Sequence, residues 1–357
     1  MALIAALLAI FRLPSHVVLS EEHPKCLSDS WSMADFNQVV LDSPVSDWLL
    51  VNGSDESFIT EPEDSVVGVV SAEAKVEDVA DDSSATVRLP RLSSTDRARL
   101  WRQSTDKVGG GLSFIESVER KAEVPEEYSR VISVDLPRSG PGITYCGKTD
   151  LLENVLMAYA VRNEEVRYCQ GMHAIAAEFL IVGLSEEESF KGLAFMVEEV
   201  AYDYFINGMP GFFNDMQIIG KLIKIRYPEL VTKLESLDDV PQEGVIISLN
   251  EKNGLSLFTV SLPPAALLRV WDVVMIYGRQ GLIAAELAMV GMLFGECLKG
   301  TLNSDEMPEY IHAFKKKVSA FENDRIDDLI NEIAAILAIP DLKRIPRFRN
   351  QSIPIEE

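Results

Sequence analysis

From about Leu100 onward the apolar positions of this chain recur with helical spacing. Leu152, Val155, Leu156 and Tyr159 fall at i, i+3, i+4 and i+7, one stripe of a helix that Thr149 is placed to cap. Ser185 and Glu188 spell a capping box ahead of Phe190, Leu193, Ala194 and Val197. At that spacing each side chain satisfies a free backbone N–H of the other's residue. The same period predicts helices over 215–227, stopped by Pro228, over 264–277 with proline at the entry, and over 282–298, 308–321 and 325–337. Successive helical runs with few strand candidates predict an all-α domain. No repeat of fixed period is present.

The first quarter reads differently. Residues 2–11 are ten consecutive apolar residues ending at Arg12, too short to span a bilayer, with neither the basic start nor the cleavage pattern of a secretory signal. From about Ser20 to Ala85 the sequence is acidic, rich in Ser, Asp and Glu, and without a period, a composition that predicts disorder. The chain therefore divides into a short apolar segment (1–20), an acidic region (21–88), a helical domain (95–300), further helices of the same domain (301–340) and a tail (341–357). Within the acidic region, Trp48-Leu49-Leu50-Val51 follows Asp47. This resembles the short motif that binds ubiquitin-like autophagy modifiers by strand addition, with Trp48 and Val51 filling two pockets; the alternative is a local hydrophobic cluster.

Charge narrows the partners. The net charge is -23, and residues 1–87 carry 16 acids against 3 bases. The rest is also net acidic, so a phosphate backbone would be repelled and nucleic acid is not an expected partner. Cys26, Cys146, Cys169 and Cys297 form no CxxC pair, and the four histidines no HxxxH pair. Neither a metal nor a disulfide framework is expected, and a cytoplasmic location fits.

Two motifs compete for one stretch. Gly142, Gly147, Lys148 and Thr149 spell GxxxxGKT after a run, Val131 to Leu136, that reads as a strand. That is the pattern of a P-loop nucleotide hydrolase, with Lys148 on phosphate and Thr149 on magnesium. Against it, residues 137–141 separate the strand from the first glycine, and the loop interior Ile143-Thr144-Tyr145-Cys146 resists the positive φ angles of an anion nest. The alternating strands and helices of a doubly wound sheet do not follow.

The second pattern is Ile132-Ser133-Val134-Asp135-Leu136-Pro137-Arg138, then Tyr168-Cys169-Gln170-Gly171-Met172, then Leu262-Pro263 with Arg269-Val270-Trp271-Asp272 and Gly278 or Gly281, with Trp101 near the start. These resemble, in order and spacing, the IxxDxxR, YxQG, LP and RxWD motifs of the TBC domains of Rab GTPase-activating proteins, over roughly 97–299. The resemblance implies a two-lobed multi-helix domain that lends Arg138 and Gln170 to a Rab-family GTPase. GTP and magnesium would be held by the partner, with no cofactor of the domain's own. Membrane contact would be indirect, at the periphery of endomembranes. Asp135 and Tyr168 would support the two fingers, Gly171 would let the glutamine loop approach closely, and Trp271 and Asp272 would be a buried ring and a polar tie. The chain departs from the family pattern at Ser139, usually threonine, at Arg167, often glycine, and at His173, often asparagine. It departs again near Asn253, where a tryptophan is usual. A non-catalytic adaptor on the same helical fold, binding a GTPase or an autophagy modifier, is the remaining alternative.

Overall fold

The structure, a computed structural model, describes residue 89 and residues 91–349, apart from 107, 145, 237–241 and 301–306. The expectations for 1–20, for the acidic region and for Trp48 and Val51 lie outside the described residues, as do residues 350–357 of the tail.

The described chain is all-α, without strands. Its first half comprises α1 (Ser94–Thr105), α2 (Phe114–Glu119), α3 (Glu126–Asp135), α4 (Pro141–Thr144), α5 (Thr149–Arg162), α6 (Met172–Ile181) and α7 (Glu186–Ala194), the last running on through a π-turn to Val200. The second half comprises α8 (Pro210–Arg226), α9 (Pro228–Glu235), α10 (Gln242–Leu255), α11 (Pro264–Met289), α12 (Gly295–Lys299), α13 (Met307–Ser319), α14 (Ile326–Leu337) and α15 (Pro340–Lys343). The capping box forms at Ser185 with Glu188, and a second one forms at Ser113 with Glu116.

Three local expectations are corrected. The stretch from Val131 to Leu136 is not a strand, because its buried positions, Ile132, Asp135 and Leu136, follow helical rather than alternating spacing. The helix reaches back to Glu126 and Glu127, whose charges suit its N-terminus. Thr149 is not a cap. Lys148 occupies that position without a side-chain bond to the helix it caps, and its backbone N–H reaches the Ile143 carbonyl at 3.0 Å. The helix expected from Asp215 starts earlier, with Pro210 in its first turn, a position where the missing N–H costs nothing.

One continuous core runs from Trp101 to Leu342, through both halves. At its centre Trp101, Phe179 and Trp271 bring α1, α6 and α11 together, with ring centroids 5.3 to 5.6 Å apart. Such contacts add about 0.5–1.5 kcal/mol per pair beyond simple burial. The Trp271 indole N–H donates to the Leu257 carbonyl at 2.8 Å. Asp272 accepts from the Trp101 indole at 3.1 Å and from Arg97 through two bonds of 2.9 Å. The segment Pro264–Lys299 is apolar and long enough to cross a bilayer, but most of it is buried inside the domain.

Gly278 kinks α11 with φ +55 and ψ -133. A side chain there would meet the Arg347 carbonyl oxygen at 2.0 Å. The glycine thus lets the C-terminal segment cross α11, where the Arg279 N–H donates to that same carbonyl at 2.8 Å.

Candidate functional site

Arg138 owes its position to a change of helical pitch. Pro137 has no N–H with which to continue the ladder of α3, so residues Leu136–Arg138 tighten into a 3-10 turn, closed by the Ser139 N–H on the Leu136 carbonyl at 3.1 Å. The turn brings Arg138 to the surface, its side chain 37% exposed. Beneath it lies Asp135, only 2% exposed, with Oδ1 3.6 Å from Arg138 Nη1. That separation makes the pair a Coulombic tether rather than a hydrogen bond, so the guanidinium keeps its donors.

The second strip of the site is the loop into α6. Gly171 caps this helix at φ +99, and a side chain placed there would meet nothing within 4 Å, so the demand for glycine is conformational rather than steric. Gln170, just before it, is half-buried. Arg167 also has positive φ, +56, which accounts for glycine being common at this position in the family pattern. Here the strained arginine is held by the Ala160 carbonyl at 3.2 Å and by Glu164 at 3.2 Å.

Buried polar groups join the two strips. The Tyr168 hydroxyl donates to Asp135 Oδ2 at 2.8 Å and lies 3.2 Å from His173 Nδ1. Burial, the Asp135 charge and the hydrogen bond to it hold the phenol well above its ordinary range, so it stays a donor. His173 is held below the usual imidazole range by burial, against the pull of Asp135 and with Arg138 adding to the downward push. Burial raises the Cys169 thiol to about 12, which leaves it inert beside Gln170.

The competing P-loop residues are otherwise engaged. Gly142 lies within α4, and Lys148 Nζ donates to the Leu180 carbonyl at 2.6 Å, satisfying the last turn of α6. Thr149 opens α5, and no strand feeds the loop. Trp101, Trp271 and Asp272 belong to the core described above, with the half-buried Arg269 one turn before Asp272 on α11. Ile132 is fully buried under the Arg138 turn. Among the described residues no group of three or more His, Cys, Asp or Glu side chains could hold a metal.

Sequence reasoning missed the other side of several ties. The motif names Asp272 but not Arg97, and Asp215 reads only as the start of a helix, whereas it accepts from the Tyr204 hydroxyl at 2.7 Å and from Arg279 Nε at 2.7 Å. The available signal was a charge on an apolar stripe: Asp215 shares a helical face with Phe212, Ile219 and Leu222. In the sequence His173 shows only as a departure from the family pattern, with nothing to mark it as a partner of Tyr168.

A family model for the Rab-GTPase-TBC domain matches residues 99–297. The chain is 31% identical over 189 residues to growth hormone-regulated TBC protein 1 of Homo sapiens, covering 49% of this chain and 53% of that one. It is 29% identical over 257 residues to TBC1 domain family member 30 of Xenopus tropicalis, covering 63% of this chain and 27% of that one. The chain thus spans about half or less of the length of these relatives. Among solved structures, the flagellar RabGAP TBC domain of Chlamydomonas superposes with a TM-score of 0.54 at 23% identity, over 69% of this chain and 80% of that one, a likeness of fold.

Proposed function

This chain belongs to the Rab-GTPase-TBC domain family, and from that premise we propose that it is a GTPase-activating protein for a Rab-type small GTPase, to which it supplies Arg138 and Gln170 in trans. The observation that carries this reading is the tether between Arg138 and Asp135. An exposed guanidinium is held over a buried carboxylate that Tyr168 connects to the loop bearing Gln170.

GTP hydrolysis passes through a loose transition state whose charge spreads over the transferred phosphoryl group and the leaving oxygen, so catalysis is mainly electrostatics and water placement. Arg138 is permanently charged and presents donors in a rigid plane, suited to that charge. The amide of Gln170 both donates and accepts, so it can orient the attacking water while bonding to the partner's backbone. Nucleotide and magnesium belong to the partner, and the cytoplasmic face of an endomembrane, where lipidated GTPases sit, is the place of action.

The test is single-turnover GTP hydrolysis by a panel of purified Rab proteins with the full chain. The wild type is expected to accelerate at least one member, and Arg138→Ala to reduce that acceleration by roughly 10³-fold or more. Gln170→Ala should fall in the same direction. No acceleration across the panel, with GTPase binding that survives both substitutions, would leave the helical adaptor as the better reading, and acceleration that survives both would rule out these two residues as the fingers.

A further inference from the structure

His173 stands where its ring can act on both fingers. It is the second residue of α6, just after Gln170 and Gly171, and its side chain reaches across to the group that holds Arg138. Tyr168 has one hydroxyl proton. The 2.8 Å contact to the charged acceptor Asp135 claims it, so the 3.2 Å contact to His173 requires the proton to sit on Nδ1 and to be donated to the tyrosine oxygen. The result is a directed chain from His173 to Tyr168 to Asp135, all three buried, ending on the exposed Arg138. His173 Nδ1 also lies 3.6 Å from Asp135 Oδ2, on the opposite carboxylate oxygen from the one nearest Arg138.

We propose that His173 is a positioning residue for both fingers: its neutral Nδ1–H tautomer fixes one oxygen of Asp135 through Tyr168, leaves the other to tether Arg138, and sets α6, with Gln170 before it, in register with the Arg138 turn. This rests on Arg138 and Gln170 acting as fingers. A second proton, on Nε2, would place a cation beside Asp135, and the carboxylate would then be shared between two cations. Arg138, the exposed one, is the one that lets go. The titratable groups that face the ring are Tyr168 from its own loop and Asp135 and Arg138 from the preceding turn. Burial keeps the ring neutral at neutral pH, so the tether is intact there and loosens only on acidification.

The experiment uses the full chain with two readouts. The first is NMR of ¹⁵N-histidine-labelled protein, with His173→Asn assigning the resonance. The expected signal is a neutral ring protonated on Nδ1 that reverts to the commoner Nε2–H form in Tyr168→Phe. The second is acceleration of the responsive Rab from about pH 7.5 to 5.5, with the Rab's intrinsic rate subtracted at each pH. The wild type should lose roughly 3- to 10-fold more acceleration than His173→Asn on acidification, in kcat rather than KM. An Nε2–H tautomer in the wild type, or matching pH profiles for wild type and variant, overturns the proposal. If the wild type accelerates no Rab at any pH, the activator reading has failed by itself. In that case the Nδ1–H tautomer, together with an Arg138 Nε–H resonance that shifts on acidification in the wild type but not in His173→Asn, decides whether His173 governs the tether.

Discussion

The Tyr168 hydroxyl donates to Asp135 across 2.8 Å, joining the loop before α6 to the end of α3, 33 residues away in sequence, and so fixing the spacing between the turn that carries Arg138 and the loop that carries Gln170. Tyr168→Phe keeps the ring in the core but leaves a buried carboxylate short of a donor. We expect a stability loss of about 1–3 kcal/mol by denaturant titration. The Rab-directed rate should fall further than that loss accounts for, because the protein remains folded under assay conditions. A variant that loses stability with no change in rate would reduce this hydrogen bond to a purely structural role.

Arg167 tests how backbone strain is borne near the site. Its φ of +56 is disfavoured for any residue with a side chain, and its guanidinium compensates through Ala160 and Glu164. Both Arg167→Ala and Arg167→Gly lose those contacts, but only glycine also loses the strain. Thermal or urea melts should find the glycine variant more stable than the alanine variant by about 1 kcal/mol. Equal stabilities would mean that the backbone relaxes once the side chain is gone.

How far the sequence reveals this architecture depends on the range of each interaction. The Ser185 capping box and the stripe through Leu152, Val155, Leu156 and Tyr159 are local and could be read directly. The β-branched run from Val131 to Leu136 misleads when composition outweighs spacing, since burial at Ile132, Asp135 and Leu136 is helical. Lys148 is misleading for another reason: a motif states residue types, whereas the partner that absorbs this ammonium, the Leu180 carbonyl, lies on the next helix but one. The motif Asp135-Leu136-Pro137-Arg138 is legible as a pattern, but the tether beneath it is set by the pitch change at Pro137. Pairings such as Arg97 with Asp272, 175 residues apart, leave only the faint mark of a charge on an apolar face.

Glu178 gives α6 a dependence on pH. It is half-buried, and burial pushes its carboxyl up to about 7, against 4.5 for an unhindered glutamate. The folded state therefore holds the proton more tightly than the unfolded chain. The contribution is fully present below about pH 4.5 and is lost as the pH rises through 7. Glu178→Gln removes the titration, so it should be more stable than wild type by about 1–3 kcal/mol at alkaline pH, with the gap closing toward the acid end. Urea midpoints across that range measure it. A difference independent of pH would show that the carboxyl does not titrate with folding.

The two carboxyls at the junction of α8 and α11 should respond to neutralisation with losses of very different size. Asp215 is fully buried and bonded by Arg279 and Tyr204, with burial pushing its carboxyl up and Arg279 opposing that push. Glu286, two turns beyond Arg279, is also fully buried, yet neither oxygen has a hydrogen-bond partner. Burial, and then the Asp215 charge, push it well above the carboxylate range against the pull of Arg279, and so favour the neutral acid. Glu286→Gln exchanges one neutral group for another of nearly the same shape and should cost no more than about 1 kcal/mol. Asp215→Asn leaves the Arg279 cation buried without its counter-charge and should cost about 3–5 kcal/mol. Denaturant titration at pH 7 compares them. Equal losses would mean that Glu286 carries a charge, and that Arg279 answers to two carboxylates rather than one.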